Sequence, residues 1–403
     1  MIYLLEALFI LAPTYVWRFR LGPVPLNVLE ILIFGFWAVF AIWLWRKRQW
    51  AEFWQAIRAD HPKILRWSAG FFLGAGIISA LISPAHQRAA GLFVAYFLQP
   101  IITYFLAAYI LRRPQAKDHF IKVVFLLVGI YGVYAVIQYY TLIGVPPQWW
   151  GNSVEPKRAL AVFEYPNAFA LWLTPLLAFG LPFFFDREFK PAPYKIFYAL
   201  GFGGLLFNLS RGGWAGFLAA AALFALSYQN KKVLKYLAML LIPLVVVVYL
   251  LPNLRYRLIL PFKGDKSTLS RFSLWHTADS MLKSSPILGK GLYGFRTLYD
   301  KFNTDALTPA YDYPHNIFLN FWVETGLLGL LSFLVLCGSV FWRGLRNKAS
   351  PYQLGIALFI LAMFVHGLID VPYFLNVLAL EFWLMLALAN SMPGSVAAPA
   401  QSN

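Results

Sequence analysis

The sequence predicts an all-α polytopic membrane protein with about twelve transmembrane helices and one large outer loop. Three observations predict it. Hydrophobic residues make up 60% of the 403 positions and charged residues only 13%, more apolar surface than one soluble core can absorb. The apolar residues come in repeated runs of about 18 or more, the length a helix needs to cross a bilayer. Lysine and arginine gather in alternate short loops. With both termini on the inner side, about 18 fall in inner loops and about 6 in short outer ones, the bias that orients membrane proteins.

Taken in order, the apolar runs lie near 2–17, 26–45, 64–83, 92–111, 121–143, 159–185, 194–209, 212–228, 233–251, 316–342, 353–369 and 372–390. The first, MIYLLEALFILAPTYV, has neither a basic leading region nor a small-residue cleavage site, and reads as a retained helix. The pair 194–209 and 212–228 is separated only by the tight turn SRGG. Residues 252–315 are the one long polar segment. At about 60 residues it escapes the charge rule and falls on the outer side. The expected organisation is a single transmembrane domain, 1–390, with the loop 252–315 inserted between spans, and a small, polar, disordered tail at 391–403.

The net charge of +17 would suggest nucleic acid in a soluble protein, but here inner-loop cations account for much of it, so the partners to expect are membrane lipids and no nucleic acid. A lone cysteine, Cys337, excludes an intramolecular disulfide and a cysteine metal site. No phosphate-binding glycine loop, no HExxH and no Mg²⁺ or Ca²⁺ carboxylate pattern occurs. No cofactor and no metal are therefore expected.

Three arginines stand out on the outer side. Arg158 opens a run, six residues before Glu164 and nine before Asn167, and Arg211 sits in the tight turn after Ser210. Arg271 precedes FSLWHTADSML, where Phe272, Trp275, Ala278 and Leu282 fall at helical spacing, so an amphipathic interfacial helix is expected with Thr268 or Ser270 as its cap. Any one outer arginine can simply snorkel. Arg211 is harder to explain that way, because a charge between apolar runs costs about 2.5–3.5 kcal/mol at mid-membrane and needs a partner. SRGG holds no carboxylate, and an anionic ligand suits a guanidinium fork. His315, flanked by Tyr313 and Asn316, opens the run that contains Glu324. It is one of six histidines, and spacing alone does not single it out as a base rather than an interfacial histidine bonded to backbone. Glu30, Glu164 and Glu381 read mostly as members of structural pairs.

Four patches, in order, carry a resemblance: RALAVFEYPNAFA (158–170), NLSRGGW (208–214), SRFSLWHTADSMLKSSPILGKGLYGF (270–295) and PHNIFLNFWVETGLLGLL (314–331). With them the chain resembles the O-antigen ligase family, polytopic glycosyltransferases related to O-antigen polymerases and bacterial O-oligosaccharyltransferases. The resemblance covers 158–331 and says little of the first 150 residues. In the first patch Ala161 and Tyr165 stand where the family usually has glycine and asparagine.

The resemblance implies a GT-C-like glycosyltransferase, a multi-pass protein of the bacterial inner membrane with its active site facing the periplasm. It implies transfer of a glycan from undecaprenyl diphosphate to a hydroxyl of lipid A–core oligosaccharide, without nucleotide or metal. It gives Arg158, Arg211 and Arg271 to the donor diphosphate and makes His315 the base that deprotonates the acceptor. Glu324 and Gly326 match the family's E-x-G, and Asn167, Ser210, Trp275, Tyr313, Asn316 and Glu324 are supporting positions in or beside the same patches. A polymerase often has two substantial outer loops, and a protein O-oligosaccharyltransferase typically carries added C-terminal sequence; length and loop pattern here suit the ligase better. The reading from another class is a lipid-linked glycan transporter, which would have repeat-related halves and broken helices at the midplane.

Overall fold

The computed structural model describes residues 1–390 apart from 23, 61, 153–155, 187–188, 190–191, 229–234, 236–237, 239–241, 243–244, 247, 260–265 and 306–307. The chain opens with α1 (Ile2–Ile10), a 3₁₀ turn and an antiparallel hairpin, β1 (Arg18–Leu21) and β2 (Val24–Asn27). Then follow α2 (Val28–Lys47), α3 (Trp50–Asp60), α4 (Lys63–Ile82), α5 (His86–Phe93) running through one π turn into α6 (Gln99–Ile110), and α7 (Pro114–Thr141). The second half holds α8 (Pro166–Phe185), α9 (Ala192–Phe207), α10 (Arg211–Tyr228), α11 (Pro252–Ile259), α12 (Lys266–Ser284), α13 (Gly294–Phe302), α14 (Ile317–Arg346), α15 (Pro351–Gly367) and α16 (Asn376–Asn390).

Among the described residues six helices are long and apolar enough to cross a membrane: α2, α4, α5–α6, α7, α8 and α14. Three shorter apolar helices, in α10, α15 and α16, join them. The all-α, multi-pass class thus holds, while the expected helix near 2–17 does not form as one span. Pro13 has no N–H to continue the ladder, so α1 stops at nine residues, about 13 Å at 1.5 Å per residue, and the chain turns into the hairpin. The expected span near 233–251 falls largely on residues outside those described, as does the tail 391–403. α3, in a stretch expected as a plain inner loop, is an amphipathic helix that buries Phe53 and Ala56.

α8 is apolar around its whole circumference, α16 is apolar but for the buried Glu381 at mid-helix, and both are almost wholly buried, which places them at the centre of the bundle. α2 is started by a reciprocal cap: Asn27 Oδ1 accepts from the Glu30 amide and Glu30 Oε2 from the Asn27 amide, both at 3.0 Å. Glu30 Oε1 also accepts from Asn376 Nδ2 at 3.0 Å, so this carboxylate ties α2 to α16. It is a structural partner, as expected.

The polar segment is fastened to the bundle at an interruption in α14. Gly326 has φ +67° and breaks the helix, and the chain at 287–295 repairs the break. The Leu327 amide donates to the Ile287 carbonyl at 2.8 Å and the Lys290 amide to the Val323 carbonyl at 2.6 Å. The buried Glu324 carboxylate accepts from the amides of Tyr293 and Phe295, groups at the start of α13 that have no partner within that helix. α12 then packs Leu274, Ala278, Met281 and Leu282 on Phe295, Tyr299 and Val323. Ala278 and Leu282 are buried as the spacing predicts, but Phe272 is exposed and meets Trp275 edge-on. Because α12 begins at Lys266, Thr268 and Ser270 lie inside its first turns and do not cap it.

Gly326→Ala would set a Cβ 2.5 Å from the Ile287 carbonyl oxygen at a left-handed φ. It is expected to destabilise the protein by about 1–3 kcal/mol, visible as a lower melting temperature in detergent. Gly338→Ala in the same helix, with nothing within 4 Å, is expected to melt like the parent. Equal melting of the two variants would contradict the role of the break.

Candidate active site

The turn 368–375 between α15 and α16 gathers most of the residues singled out above. Asn316 caps α14, its Oδ1 accepting from the Phe318 and Leu319 amides at 3.0 Å each. Its Nδ2 donates to the Leu368 carbonyl at 3.0 Å, which fixes the start of α14 against the turn. His315, immediately before this cap, has φ +49°, a conformation that is unfavourable for a residue with a side chain. Its ring is held on two sides: Tyr311 packs edge-on at 5.3 Å between centroids, and Nδ1–H donates to Asp370 Oδ1 at 3.0 Å. With Nδ1 so engaged, Nε2 carries the lone pair.

Asp370 is 3% exposed and accepts from three directions. The Val371 amide reaches Oδ1 at 3.0 Å, and Asn167 Nδ2 reaches Oδ2 at 2.9 Å. Asn167 Oδ1 in turn accepts from Arg158 at 2.6 Å, while Arg158 Nε donates to the Asn208 carbonyl at 2.8 Å. Arg158, Asn167, Asp370 and His315 thus form one hydrogen-bonded row. Burial by itself would push the Asp370 carboxyl up, but His315, Arg271 and His366 outweigh it and hold the group well below the usual carboxylate range. It is an anion at neutral pH.

The other arginines approach the same turn. Arg271 donates from Nε to the Ile369 carbonyl at 2.7 Å, and from its terminal nitrogen to Ser267 O and Oγ at 2.8 and 2.6 Å. Arg211 is the first residue of α10. Its neighbour Ser210 shares a 3.3 Å hydrogen bond with His366 Nε2, and the Ser210 amide donates to Asn208 Oδ1 at 2.8 Å. Gly212 permits the approach, since a Cβ there would lie 2.4 Å from His366 Cδ2. Tyr313 donates to the Phe374 carbonyl at 2.9 Å and meets Tyr96 Oη at 3.2 Å.

Of the residues expected from the sequence, Arg158, Asn167, His315, Arg271, Tyr313 and Asn316 therefore bond to this turn or to each other through it, while Ser210 bonds to His366 at the end of α15 and Arg211 follows it in the chain. Two lie elsewhere. Glu324 belongs to the brace at the α14 break, and Trp275 is set against Phe272. Asp370 was missed, although one signal was available: it is the only acid between the last two apolar runs. Among the described residues no group of three or more His, Cys, Asp or Glu side chains could hold a metal ion.

The fold and this row of side chains define a helical multi-pass membrane protein with a histidine–carboxylate pair beside a cluster of arginines. Residues 196–334 match the model of a family described as O-antigen ligase, so this part of the chain is similar to that family. The match takes in Arg211, Arg271, His315 and Glu324, and leaves Arg158, Asn167 and Asp370 outside it. No curated protein matches the chain.

Since the Asp370 carboxyl lies below its ordinary value in the folded protein, its ionic contribution is complete above about pH 4 and fades as the pH falls through the depressed value. Asp370→Asn is expected to cost about 3 kcal/mol at pH 7. The melting-temperature gap between parent and variant should hold down to about pH 4 and narrow on further acidification. A gap that stays constant would remove the ionic role.

Proposed function

We propose that the protein is an O-antigen ligase. It moves a glycan from undecaprenyl diphosphate to a hydroxyl of lipid A–core oligosaccharide, at the periplasmic face of the bacterial inner membrane. The observation that carries this reading is the row Arg158–Asn167–Asp370–His315, which lies at the turn that Arg271 also contacts.

In this reading His315 Nε2 takes the proton of the acceptor hydroxyl as its oxygen bonds to the anomeric carbon. The bond from that carbon to the diphosphate oxygen breaks, and the carrier leaves as an anion. Attack from the face opposite the leaving group inverts the anomeric centre. Asp370 keeps the proton on Nδ1 and stabilises the imidazolium that forms, the part a buried carboxylate plays beside a catalytic histidine. Arg158, Arg211 and Arg271 stabilise the charge that develops on the diphosphate, so no metal is called for. Asn167 and Ser210 hold the arginine-bearing segments, and Tyr313 and Asn316 hold His315. Glu324 acts at a distance, through the brace, as a positioning residue.

Purified protein is to be incubated with undecaprenyl-diphosphate-linked O-antigen and lipid A–core, in EDTA and without ATP. The parent is expected to build a ladder on lipid A–core, and His315→Ala is expected to bind donor and transfer none. Arg211→Ala is expected to weaken donor binding about tenfold, the loss of one charge-assisted contact. Donor affinity unchanged by that substitution would remove the diphosphate role. Longer glycans still on the carrier would make the protein a polymerase, and glycan moved without covalent change would make it a transporter.

A further inference from the structure

We infer that α3 carries a binding site for an anionic phospholipid headgroup, at the end of the bundle opposite His315. The α5–α6 rod separates the two. Tyr96 meets Tyr313 at 3.2 Å on the His315 side, and Tyr109, near the other end of the rod, packs on Phe53 of α3 with centroids 5.4 Å apart. At about 1.5 Å per residue these points are about 20 Å apart, most of the thickness of a hydrocarbon core.

One side of α3 is spent on the protein. Phe53 and Ala56 are buried, Phe53 also touches Phe40, and Glu52 lies 3.7 Å from Arg112. The side turned away holds Ala51, Trp54, Gln55, Arg58 and Ala59, spaced as one helical face. These five residues line a shallow, open depression on the helix face. Two alanines keep its floor low, Trp54 stands 54% exposed beside it, and Arg58 is exposed one turn further on.

The charge around this face is one-sided. The segment 46–66 carries Arg46, Lys47, Arg48, Arg58, Lys63 and Arg66 against two acids in its sequence, Glu52 and Asp60, and Arg112 lies 3.7 Å from Glu52. Cations that served only to orient the chain would need neither a depression lined by alanines nor a tryptophan beside the arginine. A phospholipid uses all three. Its phosphate suits the Arg58 fork, its glycerol region fits the hollow over the alanines, and Trp54 sits at headgroup depth as interfacial tryptophans do. Its chains have a surface to follow in Ile64, Trp67 and Phe71, an exposed apolar stripe at the start of α4.

The test is native mass spectrometry of the full-length protein in detergent, titrated with phosphatidylglycerol or with phosphatidylcholine of the same chains. The parent is expected to keep phosphatidylglycerol at collision energies that strip phosphatidylcholine. Arg58→Glu is expected to lower that retention at least threefold, while Arg20→Glu on the exposed hairpin leaves it unchanged. Should Arg58→Glu fail to fold, Trp54→Ala combined with Arg58→Gln provides the same comparison. Equal retention of the two lipids, an unaffected Arg58 variant, or an equal loss with Arg20→Glu would each overturn the site. Displacement of the lipid by soluble glycerol phosphate at matched concentration would overturn its assignment to a membrane lipid.

Discussion

A buried carboxylate is the constraint on which the arrangement around His315 depends. Asp370 is ionised and nearly without solvent, so every acceptor position it leaves unfilled would cost free energy that the fold has little of to spare. It is filled by the His315 ring, the Asn167 amide and the backbone of Val371. Those donors come from three segments far apart in the chain. Their meeting fixes the 368–375 turn, and the turn then offers the Leu368, Ile369 and Phe374 carbonyls to Asn316, Arg271 and Tyr313. The unfavourable backbone at His315 can persist because capping on one side and the hydrogen bond to Asp370 on the other leave the residue no other place.

A second constraint acts at the Gly326 break. A helix that crosses a bilayer cannot leave amides and carbonyls unpaired in lipid; an interruption survives only where protein satisfies the freed groups. Here the backbone of Ile287 and Lys290 does so, and Glu324 closes the arrangement by accepting from the start of α13. The polar segment is thereby joined rigidly to a membrane helix instead of hanging from its two ends. That rigidity matters for Arg271, which stands on α12 and must keep its hold on Ile369 across the gap between the segment and the bundle. The two halves of the E-x-G pattern thus have different physical jobs: the glycine opens the helix, and the acid fastens what enters the opening.

How far the sequence could be read follows from which interactions are local. Membrane class was legible because apolarity and run length are sums over neighbours. Arg158, Asn167, His315 and Asn316, which the structure brings to one turn, could be picked out through the patches that resemble the O-antigen ligase family. The N-terminal helix was over-read because an apolar run with Pro13 inside it scores as a span although its backbone cannot continue as one. For α12 the spacing of Phe272, Trp275, Ala278 and Leu282 marks an apolar stripe without saying which part lipid or protein covers: Ala278 and Leu282 pack on α13, and Phe272 is exposed. Asp370 was passed over for a different reason. An acid at a helix end has no visible role until the segments carrying Asn167 and His315 are folded against it, and no periodicity records that meeting. Glu324 raised the right question, that of a partner, but its partners are backbone amides, which no residue type announces.

The cations divide along the same lines. At the His315 end, Arg158 and Arg271 are clasped to backbone carbonyls of Asn208, Ile369 and Ser267, so their direction is set before any ligand arrives. Oriented charge of this kind stabilises a developing anion without reorganisation at the moment of reaction. At the α3 end, Arg58 stands exposed on a short helix beside an open hollow, where a flexible side chain can follow a lipid phosphate that itself moves. In the two readings proposed, one residue type serves two purposes in this chain. The difference lies in the backbone around it: a carbonyl clasp makes an arginine part of a fixed electrostatic field, and an open helical face leaves it a mobile contact for the membrane.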